Sequence, residues 1–458
     1  MQIERLGLAK LARCAALLLP LAGCASYRPH PLDPKATAAA LGQRSLSDPR
    51  LLRFIDIERR RSDPPRWNLD TLSLVALYER PEMPIAAATV KAAEAGEITA
   101  AMLPNPTLSI SPTYNTTTVI PSPWQVGPIV DFLVTSLIER PAKIARARAQ
   151  AEAARRALAV TAWGLRGKVR TALLDLWAAR RRLALSTRGL TLARDYETAV
   201  AQRYQAGLVS AGTLNLAQLS ANQAALRLAA DRRTLRLARA GLTASLGLPR
   251  QALQGIRLDL AGFDHPQQPP PLAPLFHAAL TTRPDVLAGL YRYAATEAAL
   301  RLAILRQYPS LDMGPGYHYD QGDNKFILDI SLPLPILNQN QGPIAAARAA
   351  RRLAAARFLA VQQRVQGEFE RARANWRASA AEAKNAKQVR ASAENTVSRR
   401  RVAFKAGQIG RLRLVGSQIA LVQAEEGALA ASVDERVALG ALEAALYRPF
   451  LVAYGVRR

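Results

Sequence analysis

The sequence has 458 residues, with 62 Lys and Arg against 35 Asp and Glu and a formal charge of +27. Hydrophobic residues make up 49% and aromatics only 6%, because Ala, Leu and Arg dominate; this excludes a disordered chain and favours helix. Both cysteines lie in the first 24 residues and no histidine sits four residues from another, so the body of the chain holds no disulfide framework, thiolate metal cluster or HExxH site.

The chain begins with an address. Arg5, Lys10 and Arg13 accompany a short apolar stretch, Cys14 to Ala22, the layout of a secretory signal and too short to span a bilayer. Leu21-Ala22-Gly23-Cys24 resembles the lipobox of bacterial lipoproteins. That likeness implies cleavage after residue 23, lipidation of Cys24 and, since Ala25 follows rather than Asp, sorting to the outer membrane. Cleavage would remove three basic groups and Glu4, leaving +25. The plainer alternative is an ordinary signal peptide with an incidental cysteine.

After a segment spanning 24–69, the mature chain reads as one unit written twice, 70–249 and 272–449. The first unit opens with a helix from Asp70 to Met102, followed by two extended segments. A very long helix from Pro141 to Ala206, a glycine turn and a return helix from Thr213 to Leu246 complete it. A Pro-rich stretch over 250–271 reads as the linker. The second unit repeats the order with helices from Leu272 to Gln307, Gly342 to Ala406 and Leu412 to Leu446, and a tail spans 450–458. Arg80-Pro81-Glu82 answers Arg283-Pro284-Asp285 at a separation of 203; Tyr204-Gln205-Ala206-Gly207 answers Phe404-Lys405-Ala406-Gly407 at 200. One register held over some 170 residues means tandem duplication.

Val169, Leu176, Leu183 and Leu190 recur every seven residues, as do Leu228, Leu235 and Leu242, so the helices should pair as coiled coils. At 1.5 Å per residue the long helices reach roughly 100 Å. The runs Arg180-Arg181-Arg182 and Arg399-Arg400-Arg401 carry no interleaved aromatics, so a solvated helix face fits better than a nucleic-acid surface. Gly207-x4-Gly212-Thr213 lacks the lysine and the leading strand of a phosphate loop.

The extended segments alternate. Phe326, Leu328, Ile330, Leu332 and Leu334 share one face, with Asp329 and Ser331 on the other beside Ile327; Leu311, Met313, Tyr317 and Tyr319 oppose Asp312, Gly314, Gly316, His318 and Asp320. Gln321-Gly322-Asp323-Asn324 joins them as a hairpin. About ten residues, apolar on one side and polar on the other, is the pattern of a transmembrane β-strand. The first unit repeats it through Leu108, Ile110 and Tyr114, then Ile129 to Leu137. Pro112 and Pro315 fit poorly, since proline removes a ladder hydrogen bond. Four strands cannot close a barrel and lipid tolerates no open edge, so membrane-spanning strands would have to be pooled by two or more chains.

Over nearly all its mature length the chain resembles the TolC-type outer-membrane efflux proteins, lipoprotein branch. The duplicated layout carries the likeness, together with Arg283-Pro-Asp285, Tyr308-Pro-Ser-Leu311, Tyr204-Gln-Ala-Gly-Leu-Val-Ser210 and the junction Leu332-Pro-Leu-Pro-Ile-Leu-Asn-Gln-Asn-Gln-Gly342, which is similar to that of heavy-metal efflux members. The resemblance implies a mainly α fold with a membrane β-barrel contribution: a homotrimer pooling a 12-stranded barrel in outer-membrane lipid above an α-helical periplasmic tunnel. It further implies a periplasmic adaptor and an inner-membrane pump, usually of the resistance-nodulation-division type. Adaptor docking would fall on the helix tips, at Gly207, Leu208, Val209, Ser210 and Gly407. Where the family commonly places a gating Asp six residues past the tip glycine, this chain has Thr213 and Arg413, with Arg411 beside the latter. The expected function is a passive export conduit for drugs, metal ions or other small solutes, with no enzyme activity, cofactor, metal site or nucleic-acid partner. A coiled-coil lipoprotein tethering the envelope without a pore is the competing reading, and a lipoprotein enzyme centred on Pro266 to Pro274 is a third.

Overall fold

The computed structural model describes residues 26–60, 63–116, 122–265 and 268–450. Cys24 and its lipobox lie outside the described residues, as do 451–458 of the tail. Residues up to Arg44 form a unit of their own, whose described part holds α1 (Pro34–Gln43), started by Pro34 and by the Asp33 carboxylate accepting from Lys35 N at 2.8 Å.

The second unit begins at Ser45. Its α2 (Pro49–Arg59) buries Leu51 and Ile55 completely. The expected opening helix of each repeat is in fact two helices, α3 (Leu69–Glu79) with α4 (Glu82–Ala101), and α7 (Leu272–Thr282) with α8 (Pro284–Leu305). Pro81 and Pro284 explain the break, because each leaves its preceding arginine extended and starts a new helix. The long helices are α5 (Thr135–Gln205, 71 residues) and α9 (Gln341–Lys405, 65 residues); α5 starts six residues before Pro141 and carries that proline inside it. The return helices are α6 (Ala211–Leu246) and α10 (Arg411–Leu446).

Ala-rich faces let these helices lie close. Val169, Leu176, Leu228 and Leu242 of the heptad series are buried, and Leu183, Leu190 and Leu235 half-buried. The main core gathers Leu46, Leu51, Ile55, Leu72, Val75, Leu173, Leu242, Leu246 and Phe263. Phe263 belongs to the stretch expected as a free linker. Residues 250–265 instead pack down: Leu258 bridges to Trp67, Asp259 N donates to Trp67 O, and Arg436 Nε donates to Phe263 O at 2.5 Å.

Two arginines that open the repeats act as clasps. Arg80 ion-pairs with Glu82 and donates from Nη1 to the Ala244 carbonyl at 2.7 Å. Arg283 pairs with Asp285 and donates to Ala445 O at 2.8 Å. The Arg-Pro-acid motif thus ties the start of each unit to the end of its return helix, whose last carbonyls have no helical partner. Hydrogen bonding from Arg80 holds the Glu82 carboxyl down at about 2.

Six short strands make one antiparallel sheet: β1 (Thr107–Ile110), β2 (Thr113–Tyr114), β3 (Trp124–Val126), β4 (Pro128–Leu133), β5 (Asp312–Asp320) and β6 (Asp323–Ser331). They are four strands by register. Thr107↔Asp131 through Tyr114↔Trp124 is a single alignment interrupted at Pro112, and Val126↔Tyr319 through Leu133↔Asp312 is a single alignment interrupted at Gly127. Pro112 therefore sits in a gap. Pro315 stays within β5, and the β4–β5 ladder skips it together with Gly314, while every β5–β6 pair from Asp312 to Asp320 is kept. The β5–β6 turn is shorter than expected, since only Gln321 and Gly322 lie outside the strands; both have positive φ (+52° and +122°), as a two-residue hairpin requires.

Candidate functional site

The register sorts the sheet's side chains into two faces, and the large apolar residues keep to one of them apart from Ile129, Leu133 and Ile327 on the other. One face carries Leu108, Ile110, Tyr114, Trp124, Val126, Phe132, Met313, Tyr317, Phe326, Leu328 and Ile330. These are apolar groups left in the open; Phe326 is 90% exposed and Leu108 59%. Such a surface has no reason to exist in water. The opposite face carries Ser109, Thr113, Gln125, Asp131, Asp312, His318, Asp320, Lys325 and Asp329, and its polar groups bond to one another: Gln125 Nε2 to Asp320 at 2.6 Å, Ser109 Oγ to Asp131 at 3.3 Å, and Lys325 to Asp320. Gly314 and Gly316 keep that face low, and a Cβ on Gly314 would meet the Asp131 carboxylate. Among the described residues the outer strands β1–β2 and β6 each have a partner on one side only.

The far end of the helices forms two tips. At the first, α5 ends and Gly207 takes φ +69°, with Leu208 N bonding back to Arg203 O and Gly207 N to Tyr204 O, both at 2.9 Å. At the second, Gly407 takes φ +72°, with Gln408 N bonded to Ala403 O. This is the left-handed closure of a helix that glycine supplies at least cost. The return helices start differently. Ser210 caps α6, its Oγ accepting from Thr213 N at 3.3 Å and lying 3.1 Å from Thr213 Oγ1, whereas Gly410 stands at the same place before α10 and offers no side-chain cap.

The tips are neighbours, since Arg203 of the first reaches Gly410 of the second and Arg411 Nη2 lies 3.9 Å from Asp195 on α5. Leu208 is 70% exposed and Val209 half-buried. Thr213, Arg411 and Arg413 are all exposed. Arg400 crosses the second tip to donate to the Arg413 carbonyl at 3.1 Å. The expected tip residues are thus brought together; Asp195, Arg203 and Arg400 join them. Asp195 and Arg203 come from a helix 200 residues earlier, which no local motif announces.

The junction from Leu332 to Gly342 is pinned by Asn340, in the left-handed conformation, whose Nδ2 donates to Ala303 O at 2.7 Å. Among the described residues no group of three or more His, Cys, Asp or Glu side chains could hold a metal ion, and no helix is long and apolar enough to cross a membrane.

Comparison with known proteins agrees with this geometry. The family model "Outer membrane efflux protein" matches residues 275–446. The cobalt-zinc-cadmium resistance protein CzcC of Cupriavidus metallidurans is 27% identical over 348 residues, covering 74% of this chain and 80% of that protein. Among solved structures, a membrane protein from Pseudomonas aeruginosa superposes with a TM-score of 0.65 at 22% identity, covering 82% of this chain and 93% of the other. The outer membrane protein VceC of Vibrio cholerae does so with 0.67 at 16% identity, covering 83% and 96%. The match falls on the second repeat, and the duplication extends the same layout to the first. Residues 275–446 thus match the outer membrane efflux protein family, and the chain shares the fold of these outer-membrane channels.

Proposed function

We propose that this chain is the outer-membrane conduit of a tripartite efflux system, working as a homotrimer. The observation that carries this reading is the sheet, with a largely apolar, exposed face, a mostly polar opposite face and an open edge at each side. Open edges are not tolerated in lipid, so each four-stranded sheet must join others edge to edge. Three copies give twelve strands, within the range of membrane barrels. The polar face would then line the passage and the apolar face meet lipid.

The helices would continue the passage into the periplasm, with the tips meeting an adaptor and, through it, an inner-membrane pump. A partner would supply the energy. The name of the relative CzcC speaks of cobalt, zinc and cadmium resistance; metal cations are accordingly the first cargo class to assay, ahead of organic drugs. A pore-free tether accounts for the coiled coils but not for the exposed apolar face.

The test is reconstitution of the full chain in planar bilayers, with sizing in detergent. A trimer that conducts ions is the expected result. A monomer, or a membrane-bound trimer without conductance, would overturn the reading.

A further inference from the structure

The two tips share one backbone turn and differ in chemistry. Around the first, the exposed side chains include Tyr204, Leu208 and Leu216, and no acid and only Arg203 and Arg227 lie between residues 198 and 230. Around the second, Val402 and Phe404 are exposed as well, but Gln408 replaces Leu208, Gly410 replaces Ser210, Arg411 replaces Ala211 and Arg413 replaces Thr213. Arg399, Arg400, Arg401, Lys405, Arg411 and Arg413 are all exposed, and residues 395–424 contain no acid. Among the described residues the ion pair that reaches this group is that of Asp195, 3.9 Å from Arg411. The start of α10 has no side-chain cap, so its free N–H groups add partial positive charge where two arginines already stand. Cations in a helix's first turn oppose its dipole, and six of them in one tip repel each other. A partner bearing carboxylates would relieve both.

We propose that the α9–α10 tip docks a carboxylate-rich helical end of the periplasmic adaptor, while the α5–α6 tip makes an apolar contact with it. This rests on the channel reading above and adds the partner's chemistry: each chain would present alternating apolar and cationic tips, so the docking ring would demand alternating apolar and acidic positions in return. Charge complementarity of this kind governs the encounter rate and rejects wrong partners.

The experiment uses the detergent-solubilised full chain and two synthetic helical hairpins, identical except for four glutamates or four glutamines at the loop. The glutamate hairpin is expected to bind about tenfold more tightly than the glutamine one at low salt, and the advantage should vanish at high salt, where screening is strong. Arg411→Ser/Arg413→Ser should remove most of that preference, Arg411→Lys/Arg413→Lys should keep it, and Leu208→Ser should weaken both hairpins alike. Equal affinity for the two hairpins, or a preference unchanged by Arg411→Ser/Arg413→Ser, overturns the proposal. Bilayer conductance is read on the same preparation: conductance without glutamate preference removes the docking proposal and leaves the channel, while preference without conductance removes the channel reading.

Discussion

Arg170 Nε lies 2.8 Å from Glu443 Oε2, and both side chains are almost wholly buried although they come from opposite halves of the chain. Glu443 also accepts from Phe450 N at 2.6 Å, and Arg170 Nη2 donates to Arg436 O at 2.9 Å. Gly440 leaves the space the guanidinium occupies; any Cβ there would collide with it. The corresponding positions at the 200-residue offset are Glu370 and Thr243, so the pair exists once and joins α5 to α10. Burial depresses the Arg170 pKa, and Glu443 opposes that shift.

Glu443→Gln would leave the Arg170 charge buried without its counter-ion, a loss of about 3–5 kcal/mol. Denaturant unfolding should show it. The double change Arg170→Met/Glu443→Leu should cost far less, because neither charge then needs a partner. A single-variant loss below about 1 kcal/mol would mean that water reaches the site.

The sheet's faces make a sharper test. Leu328→Arg or Ile330→Arg places charge on the apolar face and should cost about 2–4 kcal/mol near the bilayer centre, seen as loss of assembled protein in the outer membrane. Asp329→Asn lies on the opposite face and should assemble normally. Equal damage from all three would contradict the alternation.

Alternation was legible because strand side chains have a period of two, and Phe326, Leu328 and Ile330 keep to it although Ile327 falls on the other face. The tips were legible through the repeat, which aligns Gly207 with Gly407. Three things were not. The packing of residues 45–59 and 250–265 into the core depends on tertiary contacts of scattered Leu, Ile and Phe with no period of their own. Arg170–Glu443 and Arg411–Asp195 pair residues more than 200 apart, which no local pattern encodes. The proline puzzle dissolved only with the register, which places Pro112 in an interruption.

Acid should act on the Arg80–Glu82 clasp in a defined window. The Glu82 carboxyl is lowered from 4.5 to about 2 by its hydrogen bond to Arg80. A depressed carboxylate contributes stability above its unfolded value and loses it as the pH falls through its folded value. The contribution should therefore be intact above about pH 5 and fade towards pH 2. Glu82→Gln should be less stable than the native chain at pH 6 and should flatten the decline between pH 5 and 2. An unchanged decline in the variant would assign the acid sensitivity elsewhere.

Lipidation at Cys24 is testable in cells. Cys24→Ala should abolish palmitate labelling and leave the precursor uncleaved by lipoprotein signal peptidase. Persistent labelling would exclude this cysteine. Cys14 should be missing from peptide maps of the mature protein.

If Arg411 and Arg413 face the axis of the assembled channel, the periplasmic entrance should favour anions at every physiological pH, because guanidinium does not titrate there. The reversal potential in a KCl gradient should shift towards cation preference in Arg411→Ser/Arg413→Ser. The difference should shrink between 0.1 M and 1 M salt as the Debye length drops from about 10 Å to about 3 Å. No shift at low salt would place the two arginines on the outside of the tip.

The interruptions at Pro112 and Gly127 fall on neighbouring strands, with Val126 opposite the first and Ser111 opposite the second in the common register. A Cβ on Gly127 would clash with the Tyr317 carbonyl and with His318 on the next strand. The sheet thus has a crease crossing it, where proline withholds a hydrogen bond and glycine withholds a side chain. Flat sheets do not close into barrels; curvature concentrates at bulges and glycine kinks. In the proposed barrel each chain would bring its own corner, so the bending strain of closure would be met within the chain before any second copy arrives.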